Sequence, residues 1–97
     1  MIESADCGLR VTSPMLIANA RDLLETGRGF LRAAASGSDV VVDLAAVEDT
    51  DSSALGVIFG LLRTAQARGV RMQIAHPPAS MVSQAALYGV ADSLPLA

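Results

Sequence analysis

The chain has 97 residues, of which 52% are hydrophobic and only 3% aromatic, and its formal net charge at pH 7 is −3. This length is enough for one hydrophobic core but not for two, so we expect a single domain spanning residues 1–97. The basic residues form no cluster, and no apolar run approaches the ~20 residues of a membrane-spanning helix, which argues against nucleic-acid binding and membrane insertion.

The first half of the chain predicts strands and one helix. Apolar and polar residues alternate from Leu9 to Thr12, which indicates a half-buried strand, and Asp6-Cys7-Gly8 could turn a hairpin from a short strand near Ile2. From about Ile17 to Ala35 the apolar residues recur at helical spacing. The continuous apolar run from Val40 to Leu44 is typical of a strand that is covered on both faces.

The second half continues the alternation of helices and strands. A helix is predicted from Ser52 or Ser53 to about Arg68, where Gly69 ends it. A strand from Val70 to Ala75 follows, and then a helix from about Ser80 to Tyr88. This order predicts an α/β fold with right-handed crossovers: a mixed sheet of about four strands, with about three helices packed mainly on one face.

The segment Asp51-Ser52-Ser53 opens the second predicted helix. A hydroxyl pair after an acid at such a position is typical of an N-cap. The same place, rich in free backbone N–H groups and at the positive end of the helix dipole, is also where a phosphate is best tolerated. From spacing alone the cap is the simpler interpretation, and the role of Ser52 as a control point stays open.

The second helix has one apolar side and one side of small residues. Leucine and isoleucine side chains, Leu55, Ile58 and Leu62 among them, share the side expected to enter the core. The opposite side holds Gly56, Gly60, Thr64, Ala67 and Val57, with Arg63 and Arg68 at its flanks. A solvated helix face normally carries charge, so we predict that Gly56, Gly60 and Thr64 are exposed and that another protein lies close to them. The alternative is that the glycines only allow packing within the domain.

The sequence gives little support for a catalytic or metal-binding site. Ser52 has no histidine base at a recognisable spacing, and the chain contains neither a Gly-x-Ser-x-Gly elbow nor a Gly-rich phosphate loop. His76 is the only histidine and lies far from Cys7 in sequence, so no metal site and no cofactor are predicted. A single cysteine also favours a reducing compartment. Asp43, inside an apolar strand, needs a partner for its carboxylate.

Two stretches carry a resemblance to a known family. The first runs from Val41-Val42-Asp43-Leu44 through Asp51-Ser52-Ser53-Ala54-Leu55-Gly56-Val57 to Arg68-Gly69, and the second comprises Pro78-Ala79-Ser80 and Ala86-Leu87-Tyr88-Gly89-Val90. From Leu9 to Leu94 the chain resembles STAS domains, the family of anti-sigma factor antagonists and of the cytoplasmic tails of sulfate transporters. It is similar in particular to the small stand-alone STAS subunit of the bacterial Mla phospholipid-trafficking ABC transporter.

The resemblance implies a non-catalytic interaction subunit that binds the ATPase of such a transporter, and hence a cytoplasmic protein held at the inner membrane through its partner. The docking surface is then expected to include Asp51, Ser52, Ser53, Gly56, Gly60, Arg63 and Thr64. The alternative is an antagonist of an anti-sigma factor, released when a serine kinase phosphorylates Ser52, with Ser53 as the second choice. Antagonists usually carry an acid after the second strand, and Leu16 stands at that position here.

Overall fold

A computed structural model of the chain describes residues 1–6 and 8–97, so the predictions made for Cys7 lie outside the described residues. Its strands are β1 (Ile2–Ala5), β2 (Gly8–Val11), β3 (Asp39–Asp43) and β4 (Arg71–Ala75), which lie in one sheet in the order β1-β2-β3-β4. β1 pairs with β2 in antiparallel fashion, whereas β2, β3 and β4 are parallel to one another. The predicted four-stranded mixed sheet is confirmed.

The helices are α1 (Ala20–Ala33), α2 (Ser53–Arg68) and α3 (Ala79–Leu87), and short 3₁₀ turns lie at Ile17–Asn19 and Ala91–Ser93. The predicted end of α2 is confirmed, because Gly69 adopts a left-handed conformation with φ of 70° and its N–H bonds back to the last turn. α1 is shorter at both ends than its apolar spacing predicts, because the 3₁₀ turn precedes it and the chain becomes extended at Ala34.

The core lies between one face of the sheet and the helices. Alternate strand residues point to that face and are buried: Leu9, Val11, Val40, Val42, Met72 and Ile74. α1 and α2 pack closely together, since a Cβ atom added at Gly27 of α1 would lie 2.6 Å from Cδ2 of Leu61 in α2. The prediction that the helices pack mainly on one face is therefore confirmed.

The opposite face of the sheet remains open, so the prediction that β3 is covered on both faces is wrong. Val41 and Asp43 are only half-buried there, because no helix of residues 1–6 and 8–97 lies over them. Asp43 finds its partners on this face: the N–H of Ala45 donates to Oδ1 at 2.9 Å, Nδ1 of His76 lies 3.1 Å from the same oxygen, and Nε of Arg10 lies 3.7 Å from Oδ2. The Ala45 hydrogen bond, followed by that of His76, holds the pKa of Asp43 below its ordinary value.

Candidate functional site

The loop that enters α2 is joined to the loop that enters α1. The N–H of Met15 donates to the carbonyl of Asp49 at 2.9 Å, and the N–H of Asp51 donates to the carbonyl of Met15 at 3.2 Å. Beside these bonds, the hydroxyl groups of Thr50 and Ser80 are hydrogen-bonded, which adds the first turn of α3. The start of α2 therefore lies where the entrances of all three helices meet.

Asp51 caps α2, and the prediction of a hydroxyl cap is wrong. Its Oδ1 accepts the N–H of Ser53 at 2.8 Å, and its Oδ2 accepts the N–H of Ile17 at 2.9 Å. Ser52 already has helical dihedral angles, with φ of −61° and ψ of −19°, and its side chain makes no capping bond. Asp51, rather than Ser52, therefore occupies the capping position. The Ile17 bond, with help from the Ser53 bond, holds the pKa of Asp51 below its ordinary value.

Ser52 is exposed, as predicted, and among residues 1–6 and 8–97 no group forms a hydrogen bond with its hydroxyl. Its hydroxyl is therefore not needed to hold the helix end. Ser53 is half-buried and contributes its backbone N–H to the Asp51 cap. Of the two hydroxyl residues, Ser52 is the more exposed to a partner or a modifying enzyme.

Gly56 and Gly60 have different surroundings although they lie one turn apart. Gly56 is exposed, and an added Cβ atom would meet no heavy atom within 4 Å. Gly60 is buried, and a Cβ atom there would lie 2.7 Å from Cδ1 of Leu24. Thr64 is half-buried beside α1, and its Oγ1 accepts a hydrogen bond from Nε of Arg28 at 3.2 Å.

The prediction that Gly60 and Thr64 are exposed is therefore wrong, and the physical reason is the packing of α1. The sheet covers one side of α2 and α1 covers the next, so the solvent-facing strip is narrower than the helical wheel predicts. Val57, placed on the surface side by the wheel, is also buried. For Gly60, the alternative of packing within the domain is correct, whereas the expected exposure holds for Gly56.

We define the exposed side of α2 as the line formed by Ser52, Gly56, Phe59, Arg63 and Gln66. Sequence reasoning missed Phe59, which is half-buried and bounds an open groove of about 370 Å³. Leu62 and Val90 complete its apolar walls, and its polar lining is Arg63, Gln66 and Ser93. The helical spacing of Phe59 from Ser52 and Gly56 was the available signal, but the groove depends on residues of the C-terminal segment.

No group of three or more histidine, cysteine or acidic residues within the described ranges could hold a metal ion. In the same ranges no helix combines the length and the apolar character needed to cross a membrane. The features at the entrance of α2 are an accessible hydroxyl, an exposed glycine and a partly apolar groove. Together they form an open surface at the start of α2.

Comparison with known proteins identifies the fold family. A family model described as "Mlab, STAS domain" matches residues 2–96. The chain belongs to the STAS domain family. A search of curated proteins finds no match. The assignment confirms the resemblance seen in the sequence, including its similarity to the STAS subunit of the Mla system.

Solved structures agree on the fold. A Thermotoga maritima protein assigned as an anti-sigma factor antagonist superimposes with a TM-score of 0.76 at 17% identity, over 99% of this chain and 83% of its own. The anti-sigma factor antagonist SpoIIAA, in its unphosphorylated form, gives a TM-score of 0.64 at 15% identity, over 87% and 78% of the two chains. STAS domains act as interaction and regulatory modules, and this chain has such a role.

Proposed function

We propose that this STAS domain is a non-catalytic subunit that binds the ATPase of an ABC-type phospholipid transporter through the exposed side of α2. It would then act in the cytoplasm, held at the inner membrane by its partner. The observation that carries the proposal is the open space above Gly56, between an exposed Ser52 and the groove beside Phe59. The match to a family model that bears the Mla name supports this class of partner.

The absence of a side chain at Gly56 is costly for an exposed helix position unless something uses the space. Glycine lowers helix stability by about 1 kcal/mol relative to alanine at such a site. Gly60 is accounted for by Leu24, but no described side chain accounts for Gly56. Close approach of a partner backbone is a use that fits both the open space and the adjoining apolar groove.

The test is the affinity of the purified domain for the ATPase subunit of the host transporter, measured by titration calorimetry. Gly56→Arg places a long charged side chain on the docking surface, and we expect it to weaken binding by at least about tenfold. Gly29→Arg is the matched control, because Gly29 is also an exposed helical glycine with no heavy atom within 4 Å of an added Cβ atom.

Both variants should remain folded, since arginine is a better helix former than glycine. Full affinity of folded Gly56→Arg for the ATPase would remove the proposed surface. Gly60→Arg is not a clean probe, because its side chain would meet Leu24 and disturb the contact with α1.

A second candidate function is that of an anti-sigma factor antagonist controlled by phosphorylation of Ser52. The specific observation in its favour is that Ser52 is exposed and free of any capping bond. Against it, Asp51 already occupies the N–H of Ser53, and a phosphate would bring about −1.5 to −2 charge close to Asp49 and Asp51. Leu16 also replaces the acid that antagonists carry at that position.

The antagonist candidate is tested by incubating the domain with ATP and an anti-sigma factor serine kinase from the same organism. Intact-mass measurement should detect one added phosphate on the wild type and none on Ser52→Ala. Unchanged mass of the wild type, with a kinase shown to be active on another substrate, would exclude this switch. If Ser52→Ala still gained a phosphate, Ser53 would become the candidate phosphorylation site.

A further inference from the structure

The loop that enters α2 and the exposed side of α2 carry opposite charges. Glu48 and Asp49, in the loop that enters the helix, are exposed, and neither pairs with a basic group elsewhere in the described chain. Arg63 is exposed at the other end and likewise has no acidic partner among the described residues. Asp92, in the turn beside the groove, does not come within ion-pair distance of Arg63. The surface therefore carries two unpaired acids where α2 begins and an unpaired arginine further along.

Between the charged ends the surface is uncharged and partly apolar. Gly56 exposes backbone, and the groove next to it has apolar walls formed by Phe59, Leu62 and Val90. Arg63 lies on the rim of this groove, so an apolar group that entered it would bring its neighbours close to the guanidinium. A partner segment bound along this surface would therefore contact the acidic loop, the exposed backbone at Gly56, the apolar groove and Arg63, in that order along α2.

The distance between the charged ends sets the length of the occupant. Ser53, the first residue of α2 after the acidic loop, and Arg63 are ten residues apart, which in an α-helix corresponds to about 15 Å. A partner helix of about three to four turns can therefore contact both ends. A helix with acids in its first turn and bases in its last turn is favoured by its own dipole. Such a helix matches this surface only when it runs antiparallel to α2.

Resting on the proposed function, we infer that the occupant is an amphipathic helix of the ATPase, antiparallel to α2. Acidic residues near its N-terminus face Arg63, and basic residues near its C-terminus face Glu48 and Asp49. An apolar side chain from its middle enters the groove beside Phe59. Complementary charges of this kind fix the orientation of a partner and raise its association rate.

The test uses charge reversal in the complete domain and the ATPase subunit as the binding probe. Arg63→Glu and Asp49→Lys should each weaken binding at least tenfold at low salt, with a smaller loss at high salt because exposed charges are screened. Arg32→Glu is the matched control: Arg32 is exposed on α1 and its side chain has no partner among the described residues. It should change the affinity by less than twofold.

The orientation is tested by photo-cross-linking residues placed at the two ends of the exposed side, at Ser52 and at Gln66. The partner peptides should come from one helix, with the peptide captured from Gln66 nearer its N-terminus. The reverse order, or capture of an extended segment, would overturn the inference. Wild-type affinity of Arg63→Glu and Asp49→Lys, with binding lost in Gly56→Arg, would overturn it too but leave the proposed function standing. Binding retained by Gly56→Arg would overturn both.

Discussion

Gly56 and Gly60 lie one turn apart on α2, yet the structure uses them in different ways. At Gly60 the missing side chain admits Leu24, so that α1 and α2 come together. At Gly56 the missing side chain leaves an open surface next to the groove. Small residues on one side of a helix can therefore serve a contact within the domain at one position and leave a surface for a partner at the next. Only the position of the neighbouring helix shows which glycine does which.

The largest expected effect comes from filling each glycine with the same side chain. Gly60→Leu should destabilise the domain by about 2 kcal/mol, because Leu24 must move away from a site that is already filled. Gly56→Leu should leave the stability unchanged or raise it by up to about 1 kcal/mol, because leucine is the better helix former and the space is open. Urea unfolding of both variants measures the difference. Equal losses would mean that Gly56 is also packed within the domain.

A smaller effect on stability is expected at the start of α2, where the side chain of Asp51 makes bonds within the domain and that of Ser52 makes none. Asp51→Ala removes the cap on Ser53 and the bond to Ile17, so the urea midpoint should fall. Ser52→Ala removes no intramolecular bond that the structure describes, so its midpoint should match the wild type within error. If the urea midpoint of Ser52→Ala were as low as that of Asp51→Ala, Ser52 rather than Asp51 would be the capping residue.

The loss of stability at low pH allows a comparison of Asp51 with Asp43. Folding lowers the pKa of both carboxyls below the ordinary value of 3.8. Each therefore contributes stability that is present above the ordinary pKa and is lost as the pH falls through the lowered one. Unfolding free energies measured between pH 6 and pH 2 should fall on acidification. Asp51→Asn and Asp43→Asn should each flatten that fall, and an unchanged slope in both would contradict the assignment.

The sequence predicted the parts of the fold that depend on local signals. Gly69 marks the end of α2 because a left-handed residue there favours glycine, and alternation in Leu9–Thr12 reflects the one-sided burial of β2. β3 looked like a strand covered on both faces because Val41 is apolar. Its outer face is instead only half-buried, beside the Asp43 cluster.

The candidate site was predicted less completely, because part of it depends on packing between distant segments. Ser52 was identified from the cap signal, and Gly56 and Arg63 from helical spacing, and all three are exposed. Gly60 looks identical to Gly56 in the sequence, and only the position of Leu24 separates them. The groove beside Phe59 needs Val90, thirty-one residues further along the chain, which no pattern within α2 could indicate.

The most direct test of the central claim is a cross-saturation experiment by nuclear magnetic resonance on the labelled, deuterated domain bound to the unlabelled ATPase subunit. We expect the amide signals of Ser52, Gly56, Phe59 and Arg63 to lose intensity on irradiation of the partner. Those of Arg10 and Gln73 on the open face of the sheet should keep theirs. Intensity loss confined to the open face, with α2 unaffected, would contradict docking through the exposed side of α2.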